Sequence, residues 1–150
     1  MTTVADILRA KGNSAIHSVE PSDTMLTALQ RMAEKGIGAL LVLSGPSDLA
    51  GIVTERDYAR KIALQGRNSS TTQVDEVMTR KVHCVLPRQT TEECMSLMTT
   101  HRIRHLPVVD ENRQLLGLIS IGDLVKEIIS AQQFTIQQME HYISGTTHIS

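Results

Sequence analysis

The sequence predicts an α+β fold made of two copies of one unit. The chain repeats itself without a gap from Ile16 to Leu64, with each position matched 66 residues further on. In the segments Leu49–Asp57 and Leu115–Asp123, an apolar run around a glycine ends in a hydroxyl residue and, three positions later, an aspartate. A unit of about sixty residues is marginal as an independent domain, so the two copies are expected to share one core related by a pseudo-twofold axis.

The first copy predicts the order strand, helix, strand, strand, helix. Ile16–Val19 is a short β-branched stretch, and the apolar residues that follow Thr24 recur at helical spacing. Gly38–Leu43 and Leu49–Val53 are compact apolar runs of the kind found in buried strands. A second helix is expected from about Arg56.

The second copy predicts the same order. Thr90–Glu93 is a capping-box pattern, which indicates the start of a helix. The apolar runs His105–Val109 and Leu115–Ile119 are predicted strands, and a helix is expected from about Gly122. Short helical segments at Val4–Leu8 and Val74–Met78 lead into the two copies.

The segments outside the repeat predict a linker and a helical extension. Gln65–Thr72 is polar and rich in Gly and Ser, as linkers are. Ala131–Ile143 extends the last helix and carries Ile136, Met139 and Ile143 on one face, which either contacts a partner subunit or packs on its own domain. The predicted organisation is residues 1–66 (first repeat with the N-terminal helix), 67–73 (linker), 74–130 (second repeat) and 131–150 (C-terminal helical extension).

Composition excludes several classes of function. The chain has 150 residues, a formal net charge of −1 and 2% aromatic residues. A general nucleic-acid binder needs a basic surface, and a single-strand binder needs aromatic stacking platforms. The longest apolar run, Ala39–Leu43, is too short to span a bilayer, and the first residues lack a signal-peptide pattern. We therefore expect a cytoplasmic protein that binds neither membrane nor nucleic acid.

Metal chemistry is not expected from the cysteines and histidines. Cys84 and Cys94 have no metal-binding spacing, and small buried thiols usually belong to a core. His101 and His105 are four residues apart, but the predicted helix ends between them, which disfavours a zinc site. His17 and His83 occupy matched strand positions, where a structural role is favoured over ligand contact.

The two hydroxyl–aspartate pairs, Thr54 with Asp57 and Ser120 with Asp123, have two interpretations. As capping boxes they start the helices that follow. The same geometry also suits a ribose phosphate, because helix N-termini attract phosphate and a carboxylate can accept both hydrogen bonds of a vicinal diol. Duplication of the pair favours the second interpretation, although common ancestry would also duplicate a plain cap.

Three segments together resemble a pair of CBS domains, also called a Bateman module: Gly51–Asp57, Ile103–Asp110 and Gly117–Asp123. The resemblance covers about Val4–Ser130. It implies a disc-shaped homodimer of four repeats, two clefts for adenosine-containing ligands, and a sensor that acts on an unidentified effector protein. The implied regulatory ligand is an adenosine nucleotide (AMP, ADP or ATP) or NAD, with no cofactor required.

The resemblance also implies roles for individual residues. Asp57 and Asp123 would hold the ribose hydroxyls of the two sites, and Thr54 and Ser120 would meet phosphate or ribose. The residues expected to line the adenine slots are Ile16, His17, Ser18, Val82, His83 and Cys84. The residues whose backbone would read the adenine edge are Ile37, Gly38, Ala39, Ile103, Arg104 and His105.

The two implied sites differ in their charged groups. The first would have Arg56 as a phosphate ligand, and the second would have Arg104 and His105. If His105 contacts phosphate, binding at the second site weakens as the pH rises through the histidine range. The alternative for all three side chains is a solvated surface or an ion pair.

Three classes of function remain in competition. The leading one is a stand-alone regulatory module rather than an enzyme. The second is an enzyme that acts on the bound nucleotide, but no hydrolase or transferase motif surrounds the aspartates, histidines or cysteines. The third is a dimerisation scaffold that binds no ligand, which nucleotide-dependent melting would distinguish from the first.

Overall fold

Within the described residues, 1–12 and 16–149, two small sheets form the centre of the molecule, a computed structural model. In the first sheet, β1 (Ser18–Val19) pairs in parallel with β2 (Ala39–Leu43), which pairs antiparallel with β3 (Leu49–Thr54). In the second, β4 (His105–Val109) pairs antiparallel with β5 (Leu115–Ser120). Side chains are described to residue 143.

Helices flank both sheets. A π-helical turn at Tyr58–Ala63 continues the short helix α3 (Glu55–Asp57), and a 3-10 turn at Val74–Glu76 precedes the second repeat. In the part of the chain that the structure describes, no helix combines the length and apolar character needed to cross a membrane. The helices are α1 (Val4–Lys11), α2 (Met25–Lys35), α3 (Glu55–Asp57), α4 (Thr91–His101) and α5 (Ile121–Ile149).

The predicted α+β order is confirmed, with one difference between the repeats. The first strand of the second repeat is reduced to a single parallel bridge between Val85 and Val108. The Val85 amide donates to the carbonyl of Pro107 at 2.9 Å, and the Val109 amide donates to the carbonyl of Val85 at 2.9 Å. In the first repeat the Leu41 amide donates to the carbonyl of His17 at 3.3 Å, but the matched residue of the second repeat, Pro107, has no N–H with which to make this bond, so the ladder is shorter.

Caps determine where α2 and α4 begin and end. The hydroxyls of Thr24 and Thr90 accept from the amides of Thr27 and Glu93, and the Glu93 carboxylate completes the predicted capping box. α2 ends at Gly36 and α4 at Arg102, matched positions of the repeat that both adopt left-handed backbone angles. The predicted extension of the last helix is also confirmed, because α5 continues to Ile149.

The N-terminal helix packs on the second repeat, not on the first repeat with which the sequence grouped it. Val4 and Ile7 are buried in the apolar cluster of the second repeat. The amide of Val4 donates to the carbonyl of Gln89 at 2.8 Å. Because α1 buries its apolar face across the molecule, its position in the sequence does not indicate the repeat that it completes.

The segment that leads into the second repeat makes the reciprocal exchange. Val74, Val77 and Met78 are buried in the apolar cluster of the first repeat. The amide of Val74 donates to the carbonyl of Asp23 at 2.8 Å, the same kind of contact that Val4 makes on the other side. Each lead-in therefore completes the core of the other repeat.

The two sheets also share an apolar surface, as the sequence predicted. Ala39, Leu41 and Ile52 of the first sheet are buried in a third cluster. Leu115 and Leu118 of the second sheet pack against them. The two repeats are therefore joined by an apolar contact between β2–β3 and β4–β5.

The glycines of the repeated motif yield a stability prediction. A Cβ at Gly51 would lie 2.6 Å from the carbonyl oxygen of Thr79, whereas a Cβ at Gly117 would lie 2.9 Å from the tip of the Leu8 side chain. Gly51→Ala should lower the free energy of unfolding by about 1–3 kcal/mol, because backbone must move. Gly117→Ala should cost less, because a leucine tip can rotate. Urea unfolding measures both, and equal losses would contradict this account of the Gly51 contact.

Candidate functional site

A cleft of about 380 Å³ opens between the repeats. Its lining is largely aliphatic, with polar groups from α1, from the residue before β1, from β4 and β5, and from the start of α5. This volume falls within the range of roughly 300–1,000 Å³ typical of small-molecule sites. The lining residues are Leu8, Lys11, Gly12, Ile16, His17, Ile37, Ala39, His105, Leu116, Gly117, Leu118, Ser120 and Asp123.

Ser120 and Asp123 form a reciprocal cap at the start of α5. The Ser120 hydroxyl accepts from the Asp123 amide at 3.1 Å, and Asp123 Oδ2 accepts from the Ser120 amide at 2.9 Å. Thr54 and Asp57 make the same pair of bonds at the start of α3, at 3.1 and 2.9 Å. The capping interpretation is therefore confirmed for both pairs. In the second pair, the capping carboxylate also faces the cleft.

Lys11 brings a positive charge to the Asp123 carboxylate. Its Nζ donates to Asp123 Oδ2 at 2.9 Å and to the carbonyl of Leu118 at 2.7 Å. Burial opposes ionisation of Asp123, but the Lys11 ammonium and the Ser120 amide outweigh it, so the pKa of Asp123 lies below its usual value. Asp123 is therefore a carboxylate at neutral pH.

Asp57, the matched aspartate of the first repeat, also pairs with a lysine, but that lysine comes from its own helical stretch. Lys61, four residues after Asp57, lies 3.0 Å from Asp57 Oδ1 and donates to the carbonyl of Val77 at 2.7 Å. Lys11 reaches Asp123 from 112 residues away, whereas the Asp57 pair is local to one helical stretch. The charge pairing is thus duplicated, although the lysines do not occupy matched positions of the repeat.

His105 lies beside Ser120, its antiparallel partner across the β4–β5 ladder. Burial lowers the pKa of His105, against the opposing charge of Asp123, and the cations Arg104 and Lys11 lower it further. The shift favours the neutral imidazole at pH 7. A neutral ring donates or accepts one hydrogen bond per nitrogen, so it offers a phosphate a weaker contact than the cationic form would.

The cleft mixes residues that the sequence had divided between two sites. Residues expected to contact adenine in the first site share this cleft with the hydroxyl–aspartate pair of the second site. The pseudo-twofold packing places each sheet against the other, so one cleft takes residues from both repeats. The predicted residues that line the cleft are Ile16, His17, Ile37, Ala39, His105, Ser120 and Asp123.

The remaining predicted residues of the first repeat lie outside the lining of this cleft. Thr54 and Asp57 cap α3, and Arg56 is exposed on that helix. The carbonyl of Gly38 accepts from the Glu55 amide at 3.1 Å and so forms part of the same turn. Ser18 borders a separate, more open groove beside β1.

The remaining predicted residues of the second repeat also lie outside that lining. Arg104 is exposed, and Ile103 packs against the second apolar cluster. Val82 packs against the cluster between the two sheets. The rings of His83 and His101 stack with their centroids 3.7 Å apart, a structural contact that the sequence did not predict.

Burial raises the pKa of the half-buried Cys84, although the charge of Arg113 opposes this. Burial, reinforced by Glu93, raises the pKa of Cys94 to about 11. Both thiols therefore remain protonated at neutral pH and are poor nucleophiles. Among the described residues, no group of three or more His, Cys, Asp or Glu side chains is arranged to hold a metal ion.

Sequence reasoning missed the contribution of α1 to the cleft. Leu8, Lys11 and Gly12 line it, but no periodicity or motif connects them with Asp123. Leu116 and Leu118 were within reach of prediction, because they flank the glycine of the repeated motif on a predicted strand. The exchange of lead-in segments is the structural feature that brings these residues together.

The fold and the cleft define a tandem pair of repeats of one known class, and the chain belongs to the CBS-domain family. The family model for the CBS domain matches residues 4–64 and 74–130. The chain is 39% identical over 151 residues to the CBS domain-containing protein CBSX3, mitochondrial, of Arabidopsis thaliana, covering 96% of this chain and 73% of that protein.

Two solved structures illustrate the similarity. A protein with CBS domains from Burkholderia ambifaria is 60% identical, with a TM-score of 0.83 over 90% of this chain and 99% of that one. The structure of CBSX2 in complex with AMP is 24% identical, with a TM-score of 0.71 over 88% and 99%. The similarity to CBSX2 shows a shared fold alone.

The lowered pKa of His105 predicts a pH-dependent stability. The folded chain takes up a proton at His105 less readily than the unfolded chain, whose histidines titrate near pH 6.5. The contribution of His105 to the free energy of unfolding is therefore fully present above about pH 6.5. It is lost as the pH falls through the pKa that His105 has in the folded chain. Urea midpoints should fall less between pH 8 and pH 5 in His105→Gln than in wild type. The exposed His141→Gln should follow wild type, and identical slopes in all three would refute the assignment.

Proposed function

We propose that the protein is a regulatory module that binds an adenosine-containing ligand in this cleft and signals to a separate protein. The single observation that carries the proposal is the Asp123 carboxylate, kept ionised at an aliphatic cleft that both repeats and α1 build. An ionised carboxylate accepts the two hydrogen bonds of a ribose diol. The aliphatic lining provides the apolar surface that a flat base needs.

The other polar groups of the cleft suit the phosphate of a nucleotide. Lys11 already reaches the Asp123 carboxylate, so a bound diol would share or replace that contact and release the ammonium toward a phosphate. His105 supplies a further hydrogen bond from the opposite strand. The cleft volume lies near the lower end for small-molecule sites, which favours AMP over ADP, ATP or the dinucleotide NAD.

The arrangement also gives ligand binding a way to act on a partner. Ile16 and Ile37 belong to the first repeat, Ser120 and Asp123 to the second, and Lys11 to the exchanged helix. A ligand held by all three would favour one relative placement of the repeats over others. The effector protein would read that change at the surface of the module.

An enzyme acting on the bound nucleotide is the weaker alternative. A general base works best with a pKa near the working pH, whereas the pKa of Asp123 is lowered further from neutrality. Cys94 is buried with a pKa of about 11, which suits packing rather than nucleophilic attack. A ligand-free scaffold is the other alternative, and it would use the aspartates as helix caps alone.

Binding of AMP to matched variants tests the proposal. Asp123→Asn keeps an oxygen for the cap but removes the charge, so affinity for AMP should fall about ten- to hundredfold, the worth of a hydrogen bond to a charged group. Asp57→Asn makes the same change at the matched cap, outside the lining of the cleft, and should bind AMP within about threefold of wild type. Isothermal titration calorimetry measures both.

The controls distinguish a wrong choice of binding cleft from the absence of nucleotide binding. Both variants should unfold at similar urea concentrations, because each replaces a lysine-paired carboxylate at the third helical position by an amide whose oxygen can still accept from the N-cap amide. Wild-type protein that binds neither AMP, ADP, ATP nor NAD at millimolar concentration would overturn the regulatory proposal. Binding that Asp57→Asn weakens and Asp123→Asn does not would overturn the choice of cleft.

A further inference from the structure

The C-terminal part of α5 projects from the module as an exposed helix. Residues 129–143 are all exposed, and the CBS-domain match ends at residue 130. Large apolar side chains of this segment face solvent: Ile136 is 53% exposed and Met139 is 60% exposed. A helix that stands alone in water is normally polar on every face and held by charged pairs. Over residues 131–143, Glu140 is the only formally charged residue.

The spacing of these side chains is that of a coiled-coil seam. Val125, Ile129, Gln132, Ile136 and Met139 follow one another at intervals of four, three, four and three residues. These five residues, here called the α5 seam, occupy alternating d and a positions of a heptad. The seam runs about 21 Å along the helix, from the folded module into the extension.

We propose that the α5 seam pairs with the α5 seam of a second copy of this chain, as a parallel two-stranded coiled coil. β-branched residues at a positions, here Ile129 and Ile136, are compatible with two strands, and the d positions beyond the module, Gln132 and Met139, are not β-branched. A second copy offers the same heptad spacing over the same length. Among the described residues the other helices are at most 11 residues long, shorter than the 15-residue seam. This inference does not depend on the ligand proposed above.

The one polar residue of the seam sets the direction of the pair. In a parallel pair Gln132 faces its counterpart, and the two amides hydrogen-bond to each other. In an antiparallel pair a positions face d positions, so Gln132 would face Ile129 or Ile136, and its amide would be buried without a partner at a cost. Polar residues at core positions fix register and orientation in this way.

A membrane surface is a poorer occupant of the same seam. Amphipathic helices that lie on membranes carry Lys and Arg on the polar face, and residues 131–143 contain neither. The exposed phenyl ring of Phe134, 63% exposed, lies about 160° around the helix from Ile136, outside the seam. Phe134 is therefore a matched apolar control for the seam residues.

Disulfide trapping in the full chain tests the pairing. Met139→Cys places a thiol at a d position, which faces its counterpart in a parallel pair, and it should form a covalent dimer in oxidised glutathione at least tenfold faster than Gln137→Cys. Wild-type protein provides the background from Cys84 and Cys94. Equal rates for Met139→Cys and Gln137→Cys would overturn the proposal.

A second change in the same reporter shows whether the seam causes the cross-link. Ile136→Glu in the Met139→Cys chain should slow the cross-link at least tenfold, because it places like charges opposite each other in the seam. Phe134→Glu in the same chain adds the same charge outside the seam and should leave the rate within about twofold. Circular dichroism checks that all chains fold alike. A cross-link that Phe134→Glu slows as much as Ile136→Glu would refute pairing through this seam.

Discussion

The structure depends on the exchange of lead-in segments between the two repeats. Val4 and Ile7 bury their side chains in the core of the second repeat, and Val74 and Met78 bury theirs in the core of the first. Neither core is complete without a segment that the chain presents before the other repeat. Removing either segment would expose apolar surface in the opposite half, so the two repeats are expected to unfold as one cooperative unit.

The same exchange creates the candidate site. Docking of α1 on the second repeat brings Lys11 to the Asp123 carboxylate and Leu8 to the glycine of the β5 motif. The first repeat has a local substitute, since Lys61 comes from the same helical stretch as Asp57. Two nearly identical motifs therefore have different surroundings. A regulatory ligand that uses Lys11 would contact α1 directly, whereas a ligand that uses Lys61 would be linked to the exchanged lead-in only through the bond from Lys61 to the Val77 carbonyl.

The internal repeat made most of the fold predictable. Matched apolar runs predict the strands and helices of both copies, and the small size of one copy predicts that the two pack together. The residue types three positions apart were enough to predict the Thr90 cap and both hydroxyl–aspartate caps. Three-dimensional exchange is what the sequence did not indicate: α1, although it lies within the first family match, packs on the second repeat, and one cleft takes residues from both repeats. Lys11 lies 112 positions from Asp123, and no spacing rule relates them. The reduction of the first strand to one bridge at Val85 was within reach of the sequence, because Pro107 stands where the first repeat has Leu41 and has no N–H to donate.

The central claim is that the cleft between α1, the first sheet and the start of α5 is where an adenosine nucleotide binds. The most direct measurement is a titration of uniformly ¹⁵N-labelled protein with AMP, followed by amide chemical shifts. The account predicts saturable shifts concentrated at Lys11, Ile37, Ser120 and Asp123, with much smaller changes at Thr54. Shifts centred on Thr54, or a spectrum unchanged at millimolar AMP, would contradict it.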